Sequence, residues 1–225
     1  MHQYPLTFSF SALAITPSIE VKDASGRVLF KAVKKLISSK EEIEITSGAQ
    51  MLYKVISQES RITEIPSNWD VMTGDGQILG IVDDDFISAL DKMKFAGNSV
   101  LDGMLQMRAQ RSMHLRSAKM YWLKDTSGKQ LGFITPDSNS LLIEQIPLYP
   151  IIKQLPFAYR LITPKYYIQL GDKTVMTLQK QRTFLIDTYT LAVNDKFSDA
   201  DEKLLIPSII LAIVYERQQL KDLYT

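Results

Sequence analysis

Between residues 103 and 124 the chain carries five basic side chains, Arg108, Arg111, Arg116, Lys119 and Lys124, and no acidic one. On a chain whose 26 Lys and Arg are balanced by 25 Asp and Glu, this is the most one-sided charge run. Guanidinium and ammonium groups gathered in this way suit anionic phosphates. Near an anionic bilayer each contributes on the order of 1 kcal/mol, so a cluster produces measurable association. The competing reading is a solvated surface facing the acidic residues between 83 and 91 of the same chain. Lys180 and Arg182 form a second candidate: two residues apart on a strand, they share one face, which is expected to point outward. Lys34 and Lys35 are a third, weaker group.

Other chemistry finds few residues to work with. The absence of cysteine removes disulfides, thiolate nucleophiles and zinc-thiolate sites together. His2 and His114 are the only histidines, so neither a histidine metal cluster nor a Ser/His/Asp set can be assembled. The glycines at Gly74, Gly76 and Gly80 have the wrong spacing for a dinucleotide loop and read as strand, turn and strand. Asp83, Asp84 and Asp85 could offer oxygen ligands to calcium, but negative charge at a helix start is the preferred reading. Asp195, Asp199 and Asp201 lack the twelve-residue calcium loop and read as helix-capping charge. No catalytic residue, metal or cofactor is expected. The balanced charge argues against a dedicated nucleic-acid binder.

The elements that would position these residues are legible in the apolar pattern. Residues 19–30 (IEVKDASGRVLF), 69–80 (WDVMTGDGQILG) and 121–132 (YWLKDTSGKQLG) each read as an apolar run, a short Asp/Ser/Gly turn and another apolar run. That is the chemistry of a β-hairpin. Aligned on Gly26, Gly76 and Gly128, the copies lie 50 and 52 residues apart, and a weaker one turns at Gly171. Hairpins recurring at this interval predict a large antiparallel sheet or barrel. The N-terminal stretch reads as a first strand with Phe8, Phe10 and Ala12 on one face. After Asp85, the spacing of Phe86, Leu90 and Met93 predicts a short helix ended at Gly97, and Val100, Leu101, Met104 and Leu105 a second. A helical insertion near 83–107 within a single domain over 1–225 is therefore expected.

Near the C-terminal end, ten of the twelve residues from 204 to 215 are apolar, on every side of a helix. Ser198 can cap it, Asp199, Asp201 and Glu202 fill its first turn, and Arg217 and Lys221 sit near its far end. Pro207 is expected to kink it. The run falls short of the roughly 18 to 20 residues that span a bilayer. It reads as an enclosed helix around which the hairpins wrap.

Repeated hairpins with a D-x-x-G turn, the strand at 175–184 (VMTLQKQRTF), and an acidic cap before an apolar helix ending in Tyr215-Glu216-Arg217-Gln218 resemble the LURP-one-related proteins. These group with phospholipid scramblases and tubby C-terminal domains. The resemblance runs from about Leu6 to Gln219, with the segment 83–118 departing from the family pattern. It implies a closed barrel of about twelve antiparallel strands threaded by the C-terminal helix. It also implies basic side chains on the barrel surface that bind phosphoinositides. The scramblase palmitoylation cysteines are missing, so lipid scrambling is not expected. The expected protein is a cytoplasmic, non-enzymatic barrel, peripheral at a membrane. It would bind anionic phospholipid or phosphoinositide surfaces through Arg108, Arg111, Arg116 and Lys119, with Lys180 and Arg182. The rival is a module for a protein partner or an apolar ligand.

Overall fold

The computed structural model describes residues 2–11, 18–35, 38–60, 68–84, 120–137, 163–181 and 186–224. Twelve strands run in chain order: β1 (Leu6–Phe10), β2 (Ser18–Lys22), β3 (Val28–Lys34), β4 (Lys40–Ser47), β5 (Gln50–Ser60), β6 (Asn68–Thr73), β7 (Ile78–Asp84), β8 (Tyr121–Lys124), β9 (Gln130–Pro136), β10 (Lys165–Leu170), β11 (Lys173–Lys180) and β12 (Thr188–Val193). One helix, α1 (Asp199–Tyr224), follows them. Each strand pairs antiparallel with its neighbours in sequence, and β12 closes on β1 through Leu6–Leu191 and Thr7–Thr190. Closure removes the unpaired edges an open sheet would expose.

The repeated turns have one hydrogen-bond design. Asp23 Oδ1 accepts from the Ser25 backbone N–H (3.0 Å), the Ser25 hydroxyl (2.6 Å) and the Arg27 N–H (3.0 Å). Asp125 Oδ1 repeats this with Ser127 and Lys129 at 2.8, 2.6 and 3.0 Å. In the third copy Thr73 Oγ1 accepts from Gln77 N–H at 3.0 Å and donates to Asp75. Gly26, Gly76 and Gly128 take φ of 82°, 93° and 83°, the region where a side chain is strained.

The helix begins where the sequence places it. Ser198 Oγ accepts from the Asp201 N–H (3.1 Å), and Asp201 Oδ2 accepts in return from the Ser198 N–H (2.9 Å), a reciprocal cap. The helix continues through Pro207, and Ser208, its one hydroxyl in the apolar run, donates back to the Leu204 carbonyl at 2.7 Å. Leu204 to Ile206 and Ile209 to Val214 are all buried, on every face. A helix of this kind is stable only inside something, and the barrel is that enclosure.

The helix runs closest to β5, β6 and β7. At Gly80 a Cβ would lie 2.9 Å from Leu204 Cδ1, so the missing side chain makes room for the close approach. On the opposite wall Phe8 and Phe10 on β1 and Tyr189 on β12 are buried toward the helix. Ion pairs line the outer wall, as in Lys54–Glu42 (2.7 Å) and Lys22–Glu20 (2.8 Å). A largely apolar interior with ion pairs on the outer wall is the reverse of a membrane-embedded barrel.

The two ends of the barrel differ. At one, the turn end, lie the tight connections at 23–27, 48–49, 74–77, 125–129 and 171–172, and here α1 enters. At the other, the exit end, β1, β3, β5, β7, β9 and β11 finish and α1 leaves, and every longer connection starts and returns there.

Candidate functional site

At the exit end the inward-facing pattern changes from apolar to polar-tipped. Lys34 follows Phe30 and Ala32 on β3, Asp84 follows Val82 on β7, and Lys180 follows Met176 and Leu178 on β11. All three are buried, as are Tyr121, Tyr166 and Tyr189 at the first inward positions of β8, β10 and β12. The helix contributes Tyr215 and Glu216 to the same layer. Trp69, fully buried on β6, packs against Tyr215 in a tilted contact with ring centroids 5.1 Å apart.

Two groups of charge organise this layer. Lys34 Nζ donates to Glu41 Oε1 at 3.2 Å and to Gln218 Oε1 at 3.3 Å, and lies 4.7 Å from the centre of the Tyr215 ring. Lys180 Nζ stands 3.7 Å from Asp187 Oδ1 and 3.8 Å from Glu216 Oε1, with the Lys180 side chain fully enclosed. Arg217 Nε donates to Asp187 Oδ2 at 2.9 Å, and its guanidinium lies 4.2 Å from the Phe10 ring centre. Tyr189 donates its hydroxyl proton to Glu216 Oε1 at 3.0 Å. Burial pushes the Glu216 carboxyl up to about 7, against the opposing pull of Lys180 and of the Tyr189 hydrogen bond. Burial, reinforced by nearby carboxylates, also holds the hydroxyls of Tyr121, Tyr166 and Tyr189 well above the ordinary tyrosine range.

Lys180 corrects the sequence expectation. It was expected to point outward as a lipid contact, but only 1% of its surface reaches solvent. Strand parity places it with Met176 and Leu178, so the outward residues are Thr177 and Gln179. Asp83 and Asp84 are a second correction. They lie within β7, paired in register with Trp122 and Tyr121, and the helix expected to follow them falls outside the described residues. Asp83 takes an ion pair from Lys124, so the last member of the basic run is engaged within the barrel wall. Lys35, unlike Lys34, faces out and pairs with Glu44 at 2.7 Å. Asp201 caps the helix, and Asp195 contacts Lys173 at 3.7 Å. Among the described residues no group of three His, Asp or Glu side chains could hold a metal ion.

Arg108, Arg111, Arg116, Lys119 and Arg182 lie outside the described residues, as do the helices expected between 85 and 107. The residues that flank them do not: Asp84 and Met120, and Gln181 and Ile186, all sit at the exit end. Asp187, Glu216 and Arg217 were not singled out as site residues. Their signal was the abrupt appearance of Glu216 and Arg217 after ten apolar positions of an enclosed helix.

The cleft bounded by Lys34, Glu41, Trp69 and Tyr215 is too narrow to admit a water molecule. The groups of the layer can hold charge and exchange a proton with one another. No described helix is long and apolar enough to cross a membrane. No protein-family model matches the chain, and no curated protein matches it.

Proposed function

We propose that this protein is a non-enzymatic barrel that docks on anionic phospholipid or phosphoinositide surfaces by its exit end, using Arg108, Arg111, Arg116 and Lys119 with Arg182. The observation that carries the reading is topological. The segment holding the basic run leaves the barrel at Asp84 and rejoins it at Tyr121, strand residues paired with each other at that end, and the segment holding Arg182 starts and returns at the same end, two intervening strands farther round the wall. A chain of balanced charge that gathers basic residues in one run, on a segment tied at both ends to the exit end, suits a planar anionic partner. Lys180 has no part in the contact, because it is enclosed. The filled interior supports a surface role over an apolar-ligand cavity, and the enclosure of Asp187 and Glu216 supports a role other than catalysis. The twelve-strand barrel with its helical plug supports kinship with the LURP-one-related proteins.

Co-sedimentation with neutral, phosphatidylserine-containing and phosphoinositide-containing vesicles tests this. Binding to the anionic vesicles at low salt, weakened at physiological salt, is expected. Arg111→Glu with Arg116→Glu should lower affinity at least roughly thirty-fold, from about 1 kcal/mol for each lost basic group. Equal recovery with neutral and anionic vesicles would refute the proposal.

A further inference from the structure

Asp187 and Glu216 are two buried carboxylates sharing one ammonium, and they are not equally supported. Asp187 accepts directly from the Arg217 guanidinium at 2.9 Å, while Lys180 Nζ, at 3.7 and 3.8 Å, is beyond direct hydrogen-bond reach of both. The direct donor to Glu216 is a neutral phenol, Tyr189, at Oε1, and its other oxygen, Oε2, has no hydrogen-bond partner. A carboxylate so enclosed relieves its desolvation by taking up a proton. Tyr166, whose hydroxyl also lacks a hydrogen-bond partner, is near enough to Glu216 to oppose its protonation as a donor, and to accept from the carboxyl once it is protonated. The Tyr189 bond at Oε1 is undisturbed.

We infer that Glu216 is a proton-operated latch that holds the last buried turn of α1 against β10, β11 and β12. With the proton on, the turn is closed. When the turn opens, Glu216 meets water, regains ordinary carboxyl acidity and releases the proton.

Every described element around the carboxyl bears on this. Lys180 faces it from β11, Tyr166 from β10, Asp187 and Tyr189 from β12 and the residue before it, and Arg217 is its neighbour on the helix. Farther round the layer, Tyr121, Glu41 and Asp84 carry further charge or hydroxyl groups from β8, β4 and β7, and Lys34 stands on β3. The closed-state carboxyl sits at about 7 and the open-state one at its ordinary 4.5. The closed state therefore binds more protons across that window, and opening becomes easier as pH rises. The gain is up to about tenfold per pH unit between roughly 5 and 7, flattening above about 8, or roughly 50- to 100-fold from pH 5 to 8.

Amide hydrogen exchange along 211–218, corrected for intrinsic exchange, measures this opening in the whole protein. Protection should fall roughly 50- to 100-fold from pH 5 to 8 in the natural chain and stay flat in Glu216→Gln, which keeps the shape but cannot titrate. In the natural chain, carbon-detected titration of the Glu216 carboxyl should give a midpoint between about 6 and 8. A midpoint below about 5, or the same pH slope in both proteins, would overturn the latch. The carboxyl titration decides by itself if the variant does not fold.

Discussion

Replacing Lys180 with Met separates a surface role from an interior one, because the two make opposite demands on the side chain. On the surface, the substitution would leave stability within about 0.5 kcal/mol and weaken vesicle binding. In the structure the Lys180 side chain is fully enclosed and its ammonium stands 3.7 Å from Asp187 and 3.8 Å from Glu216. At an effective dielectric of about 20 a pair at this separation is worth about 4 kcal/mol before desolvation is counted. At pH 8, where Glu216 is largely ionised in the parent, removing the lysine alone leaves two acidic groups buried with one guanidinium, a situation that costs about 3 to 5 kcal/mol, and less at pH 5, where Glu216 is neutral. For a chain of this size the melting temperature should drop by about 6 to 20 °C, read by calorimetry or circular dichroism. Vesicle binding, measured below the lowered midpoint, should be unchanged. Adding Glu216→Gln should restore at least about 1 kcal/mol, since it removes one of the stranded carboxyls. A Lys180→Met protein that melts within about 2 °C of the parent would refute the buried placement and the energetic argument built on it.

The remaining predictions concern the architecture. At Gly132 a Cβ would lie 1.9 Å from the Gln169 carbonyl oxygen, so Gly132→Ala must push β9 and β10 apart and should cost about 3 kcal/mol in urea unfolding. At Gly26, with nothing within 4 Å of the added methyl but φ of 82°, alanine should cost only about 1 kcal/mol, and equal costs at the two sites would contradict this ordering. Ending the chain before Leu204 removes the enclosed helix, and the product should be insoluble or lack a cooperative thermal transition; a soluble product that melts cooperatively would contradict the enclosure.

The closed barrel and its plug were readable because two local signals agreed with the global fold. Short polar turns ending on Gly26, Gly76 and Gly128 recurred at near-constant spacing, and residues 204–215 offered no polar face. The polar layer was readable only in part. Lys34, Asp84 and Lys180 each extend an apolar inward face by one more step, so strand alternation alone places them inside. The assumption that charged side chains face water overrode that parity. Their partners were beyond local reading: Glu216 is 36 positions beyond Lys180 in the chain, and only closure of the sheet around the helix brings them together. The strand placement of Asp83 and Asp84 was hidden for a related reason. Helix-start charge and a strand end look alike until Lys124, 41 residues after Asp83, supplies the opposite charge from the neighbouring strand.

Because α1 follows all twelve strands, the order of synthesis runs against the order of packing. While the strands emerge from the ribosome, their apolar inner faces have no filler, and β1 waits for a partner, β12, that begins more than 170 residues later. Closure and filling must therefore happen late and together, which favours slow, all-or-none acquisition of structure. A nascent chain stalled after β12 would present a collapsed, sticky intermediate, and its rescue would depend on the arrival of one greasy segment.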